Sequence, residues 1–190
     1  MAFKFLILIE KILNKIYTLL VRRSFKKFGN KSIIKFGSII NNPYNIEIGD
    51  NVFIDTHVWL NAGEEIREDK RATLIIKDGV YISRNTHINA FKDVIVEEDV
   101  LIGENVYFGD ADHSTELSDV PIIKQKVEIK NPVKIKSGCH LCRNSIISAG
   151  VTVGKNSVIG PGAFVVDLNI DDNSMLLGNP AVVIEKFNIK

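Results

Sequence analysis

Between Val96 and His113 the chain reads V-E-E-D-V-L-I-G-E-N-V-Y-F-G-D-A-D-H, with an aliphatic or aromatic residue at every sixth position (Val96, Ile102, Phe108). Four places after the first two comes another apolar residue, Val100 and Val106. A helix returns every three or four residues and an unbroken strand every second one, so a period of six predicts short strands with a turn inserted each time. The same rhythm runs with interruptions from Ile34 to Val165. Its aliphatic positions are Ile34 and Ile40, then Ile48, Ile54 and Leu60, then Ile76, Ile82 and Ile88, then Val96, Ile102 and Phe108, then Ile135, Leu141 and Ile147, and finally Val153, Ile159 and Val165. Small or β-branched residues follow four places later, among them Ser38, Val52, Thr86, Cys139, Ser157 and Ala163. Three hexads make one turn of a triangular solenoid whose flat sides are short parallel strands stacked on those of the next turn. Five complete turns and one partial turn are expected, giving a prism on the order of 25–30 Å tall.

The rhythm breaks only after the third hexad of a turn, at residues 64–73, 92–95 and 109–128. These insertions therefore leave one corner of the solenoid and stack above one another. Functional residues concentrate on loops fixed to a rigid scaffold, and the longest insertion exceeds what a connection needs. It carries His113. After Val165 the pattern dissolves, and the G-N-P turn at 178–180 followed by A-V-V-I reads as a segment that closes the open end. The expected units are 1–30 (helix and connection), 31–170 (solenoid with acceptor loop 109–128) and 171–190 (cap).

Ahead of the solenoid, Phe5, Ile9, Ile12, Ile16 and Leu19 recur at helical spacing, with Leu6, Leu13 and Leu20 beside them. An amphipathic helix is predicted. Lys4, Glu10, Lys11 and Lys15 interrupt every window long enough to span a bilayer. Two roles remain open for this helix: capping the first turn or packing in an oligomer, and lying in a membrane interface beside Arg22, Arg23, Lys26 and Lys27. The small-residue cleavage site of a secretory signal is missing, so a cytoplasmic chain is expected, with peripheral membrane contact as the variant.

Lys plus Arg is 24 against Asp plus Glu 23, a net +1 over 190 residues, so no global field favours a nucleic-acid partner. The two cysteines, Cys139 and Cys142, have the spacing of a metal half-site, yet no second pair exists to complete it. Repeat register places Cys139 inward and Cys142 one residue past an aliphatic position. Reduced cysteines and no metal are expected.

The hexads I-G-D-N-V-F at 48, I-G-E-N-V-Y at 102, V-G-K-N-S-V at 153 and I-G-P-G-A-F at 159, with the closing G-N-P-A-V-V-I, resemble the hexapeptide-repeat acyltransferases. The D-A-D-H-S loop followed by P-I-I-K-Q looks like their sugar O-acetyltransferase branch, the maltose, galactoside and cell-surface-polysaccharide type. The resemblance covers about residues 30–186 and implies an all-β fold, a left-handed parallel β-helix. Periodicity alone does not reveal that hand. It also implies a homotrimer with sites between subunits, acetyl-CoA as donor, and a saccharide or sugar nucleotide as acceptor.

Acyl transfer to a hydroxyl needs a base for the hydroxyl proton and donors for the oxyanion. Of His57, His87, His113 and His140, His113 alone lies on the long loop, and it matches the general base of similar acetyltransferases. Asn89, which follows Ile88 on the same edge one turn earlier, matches an asparagine that contacts the acceptor and stabilises the tetrahedral intermediate. Glu97 matches an acidic acceptor contact, and Asp110 and Asp112 flank the loop. Asp112 is also placed to orient the imidazole. His57 and His87 are expected to be ordinary repeat residues. For the donor, the resemblance points to Cys142, Arg143, Gly150, Pro161, Val166 and Lys186. Here the chain departs from the family: H140-L141-C142-R143 stands where W-I-G-[AS] is common, and Val166-Asp167 where Thr-Lys is common. The alternatives are N-acetylation of a nucleotide-linked amino sugar, or a solenoid that keeps the packing and lacks a working donor site.

Overall fold

The computed structural model describes residues 2–64, 73–114, 116, 118–166 and 169–186. The helix Ala2–Val21 precedes a column of parallel strands in three sheets, two six-stranded and one eight-stranded, plus a two-stranded antiparallel arm. Within the coils, sequence-adjacent strands lie in different sheets. Each sheet is one face of a triangular prism, and each strand pairs with its equivalent in the coils above and below.

The hexad phase fixes which side chain goes where. On the first face Ile48, Ile76, Val96, Ile135 and Val153 stack in register. The second face stacks Ile34, Ile54, Ile82, Ile102, Leu141 and Ile159. The third stacks Ile40, Leu60, Ile88, Phe108, Ile147 and Val165. All of these but Ile40 are buried, and they form one continuous core. Three places after an inward residue the backbone turns left-handed. Asn51, Asn85, Asn105, Asn144 and Asn156 hold that position, as do Gly79, Gly138 and Gly162. Asn and Gly are the residues that tolerate such φ values, which is why Asn or Gly precedes the small or β-branched residue at these corners.

Phe28 stands six residues before Ile34 and pairs with Ile48, so it completes the first coil. The column thus has six full coils and begins at Lys27–Phe28, inside the segment 1–30 assigned above to the helix and its connection. The interruptions fall at the third corner as expected, although residues 65–72 of the first one lie outside the described residues. At the far end Ser174–Gly178 adds a parallel strand to the second face, and Ala181–Lys186 folds back antiparallel upon it.

At the near end the helix covers the free edge of Ile33–Ile34. Ile34 donates its N–H to Thr18 Oγ1 at 3.0 Å, and Phe36 donates to Asn14 Oδ1 at 3.1 Å. The single Thr18 hydroxyl proton has the carbonyls of Asn14 (2.8 Å) and Ile34 (3.0 Å) within reach. Glu10 joins this stripe through Lys35, 3.0 Å away. Asn14 and Thr18 are buried, whereas every large apolar residue from Phe3 to Ile16 is exposed. The amphipathic helix exists, but its polar stripe faces the column.

Phe108 is the largest of the fully buried side chains. Phe108→Ala is expected to cost about 3–5 kcal/mol and Ile82→Val about 0.5–1.5 kcal/mol in urea unfolding. Thr18→Ala strands the Ile34 amide and is expected to cost about 1–3 kcal/mol in the same measurement.

Candidate functional site at the third corner

Leu60-Asn61-Ala62 and Ile88-Asn89-Ala90 occupy the same register at the end of the third face, with Asn41 one coil earlier. Their amides form a ladder: Asn41 Nδ2 donates to Asn61 Oδ1 at 3.1 Å, and Asn61 Nδ2 donates to Asn89 Oδ1 at 3.1 Å. The His87 Nε2 lies 3.0 Å from the same Asn89 oxygen, which fixes the ring proton on Nε2. Asn89 Nδ2 donates one proton to Tyr107 Oη at 3.2 Å, leaving its second proton for an incoming group. Trp59 stacks on His87 with centroids 4.3 Å apart and planes 1° from parallel, and Tyr107 packs at 77° from the ring's other side. Asn89 is therefore held from three directions. Burial pushes the His87 imidazole below its ordinary pKa, and the Asn89 hydrogen bond offsets this only in part.

The next coil places Gly109 opposite Asn89. A Cβ there would come within 2.5 Å of both the Asn89 Cβ and its carbonyl oxygen, so glycine is required for the close approach. Asp110 follows, fully buried, accepting the backbone N–H groups of Phe91 (2.7 Å), Lys92 (2.8 Å) and Asp93 (2.5 Å). This carboxylate ties the base of the arm to the 91–93 link. Ala111–His113 then pairs antiparallel with Val127–Ile129. His113 is exposed on this arm, and Asp112 accepts its backbone N–H at 2.8 Å.

Beside the ladder lies an open cleft of about 610 Å³, lined by Asn41, Asn61, Glu64 and Phe91, with Ile129 from the arm. Amide and carboxylate groups alternating with apolar walls suit a hydroxyl-rich ring. A second cleft of about 520 Å³ sits at the second corner and gathers Ser83, Glu104, His140, Cys142, Arg143 and Pro161.

His113 and Asn89 thus share a corner: four residues of extended chain from Gly109, which pairs with Asn89, to His113 span at most about 14 Å. Three expected contacts are corrected. Asp110 has no surface for an acceptor because it is buried on three backbone donors. Glu97 lies at the first corner, at the opposite end of the Val94–Val96 strand, with Lys134 at 3.0 Å and the Ser137 N–H at 3.1 Å. Burial raises its carboxyl, and the bonds from Lys134 and Ser137 outweigh that and lower it. Asp112 bonds the backbone of His113 instead of its ring.

The donor residues divide by hexad phase. Cys142, Arg143 and Pro161 meet at the second corner. Gly150, bonded to the Asn131 carbonyl at 3.0 Å, and Val166 lie at the third. Lys186 is paired with Asp171 at 2.6 Å at the first corner and lines neither cleft. Asp167 lies outside the described residues. Cys139 is in the core, where burial raises its thiol to about 11, and burial also raises Cys142. His57 occupies a left-handed turn position. His87 was expected to be of that ordinary kind and is instead the support of Asn89. The repeated tripeptides L-N-A and I-N-A carried the signal for this ladder.

His87 has a lower pKa folded than unfolded, so its stabilising contribution is full above about pH 6.5 and is lost as the pH falls below that value. NMR titration is expected to place its midpoint below that of the unfolded chain. The melting temperature of His87→Gln is expected to fall less than that of the parent between neutral and mildly acidic pH.

No protein-family model matches the chain. It is 30% identical over 142 residues to the galactoside O-acetyltransferase of Lactococcus lactis subsp. lactis (strain IL1403), covering 75% of this chain and 63% of that one. It thus spans about three-fifths of that relative's length. It is 26% identical over 181 residues to WbbJ of Escherichia coli (strain K12), named for lipopolysaccharide biosynthesis O-acetyl transfer, covering 85% of this chain and 82% of that one. Among solved structures, AntD, an N-acyltransferase from Bacillus cereus in complex with dTDP and 3-hydroxybutyryl-CoA, superposes with a TM-score of 0.75 at 20% identity, covering 90% and 88% of the two chains. A hexapeptide-repeat acetyltransferase of Vibrio cholerae O1 biovar eltor, complexed with acetyl coenzyme A, superposes with a TM-score of 0.57 at 23% identity, covering 90% and 76%. With its in-register hexads, three-sided column and third-corner arm, the chain has the fold of the hexapeptide-repeat acyltransferases, the left-handed parallel β-helix, and is similar in sequence to the galactoside and lipopolysaccharide O-acetyltransferases.

Proposed function

We propose that the protein transfers an acetyl group from acetyl-CoA to a hydroxyl of a saccharide or sugar nucleotide, in cell-surface polysaccharide biosynthesis. The observation that carries this reading is the third corner, where the asparagine ladder that includes the rigidly held Asn89 and the arm bearing His113 contribute Asn61 and Ile129 to one polar cleft. The names of the relatives agree with it. In this reaction the acceptor oxygen attacks the thioester carbonyl while His113 takes the hydroxyl proton. The remaining Asn89 N–H is placed to stabilise the oxyanion or to orient the acceptor. The carbon–sulfur bond then breaks, and the departing thiolate takes the proton back from His113.

One subunit holds only part of this machinery. The acceptor elements lie at the third corner, while the cleft with Cys142, Arg143 and Pro161 lies at the second, one face away. We infer that prisms packed side by side in a homotrimer bring the second corner of one copy against the third corner of the next. The exposed Arg143 is then the residue offered to the donor's phosphates.

The test is release of CoA from acetyl-CoA over a panel of saccharides, with the product identified by mass. His113→Ala is expected to lower kcat/KM about 10²–10⁴-fold with an unchanged melting temperature, because the ring is exposed. Retained turnover would remove His113 as the base. Light scattering is expected to give three times the 21.2 kDa chain mass.

A further inference from the structure

We propose that the N-terminal helix is a docking surface for an anionic membrane face, with its axis in the plane of the interface. The inference rests on how the helix is held. An amphipathic helix on a globular protein buries its apolar stripe and shows its polar one to water. Here the reverse holds: Asn14 and Thr18 are buried at the edge of the first coil, and Glu10 reaches Lys35.

Most of the apolar side of the helix is therefore left open to solvent, with Tyr17 and Val21 packed against the core and Leu13, Ile16 and Leu20 bordering a cleft beside Phe36. Phe5, Leu8, Ile12, Ile16, Leu19 and Leu20 are all exposed, Leu20 at 74%. At 100° per residue Phe5, Ile12, Ile16, Leu19 and Leu20 lie about 100° or more from both Asn14 and Thr18, and Leu8 lies on the flank. Twenty residues of helix make this stripe about 30 Å long. It is nevertheless no spanning segment, since among the described residues no helix is long and apolar enough to cross a membrane.

Charge selects the occupant. Lys4, Lys11 and Lys15 are exposed and line one border of the apolar stripe. Arg22, Arg23, Lys26 and Lys27 continue the positive charge past the end of the helix. Glu10 is the helix's only acidic residue, and it is paired with Lys35. A second copy would bring the same lysine border to meet its own kind. An anionic lipid surface meets both requirements at once, acyl chains for the stripe and headgroups for the cations. The chain would then work as a cytoplasmic protein attached to the membrane from one side, its first coil nearest the lipid.

The experiment is flotation of the full chain with vesicles of phosphatidylcholine alone or mixed with phosphatidylglycerol. Recovery with the anionic vesicles, falling at high salt, is expected. Lys4→Gln, Lys11→Gln and Lys15→Gln together are expected to weaken partitioning on the order of a hundredfold, ~1 kcal/mol for each cation removed. Ile12→Glu with Ile16→Glu is expected to abolish recovery while leaving the oligomeric mass and turnover of a soluble sugar unchanged. Absence of the parent from the anionic fraction would overturn the proposal. So would loss of oligomeric mass in the Glu variant, which would assign the stripe to contact between copies. Turnover in solution is read separately, so neither result bears on the proposed acetyl transfer.

Discussion

The register between coils is the constraint from which everything else follows. Backbone groups at equivalent hexad positions bond from coil to coil, as from Phe53 N–H to the Val80 carbonyl and from Tyr81 N–H to the Val100 carbonyl, both at 2.9 Å. A one-residue slip would turn each inward aliphatic side chain toward solvent. Identical positions therefore stack along the whole column, and whatever occupies one phase of the hexad becomes a ladder. In the core that produces stacked isoleucines. On the outer surface it produces the asparagine ladder and the Trp59–His87 stack.

Insertions are tolerated where they do not disturb this register, and all the long ones leave at the third corner. The arm is more than a loose excursion, because Gly109 lets the backbone pass close over Asn89 and Asp110 fastens the root to three amides of the neighbouring link. The rigidity of the solenoid is thereby carried out to the base of a segment that projects from it. A catalytic group on such an arm is positioned by its root, while its tip stays accessible to a partner.

Much of this was legible in the sequence, since period six has few structural solutions. Phe28 was missed because it opens its hexad with an aromatic residue inside a basic run, K-K-F-G-N-K, although Ser32 serves as the small residue four places on and bonds the Gly49 carbonyl at 2.6 Å. The helix was legible, and its orientation was not. Periodicity marks the apolar stripe, but an open sheet edge needs donors and acceptors, and Asn14 and Thr18 supply them. Glu97 and Lys186 were assigned from a resemblance along the chain, whereas their hexad phase puts them at the first corner. His87 looked ordinary because the ladder it supports joins residues 28 apart, Asn61 and Asn89, which only the coil length brings together.

The two ends of the column are closed by different chemistry, a threonine hydroxyl and an asparagine amide at one and a folded-back strand at the other. An unfinished parallel stack is a template on which another chain can grow, and repetition makes every coil a competent seed. Because the second face is covered at both ends, head-to-tail addition of one molecule to the next cannot continue all three sheets at once. The repeat is thus kept to a defined length, and a motif well suited to building fibres yields a discrete molecule.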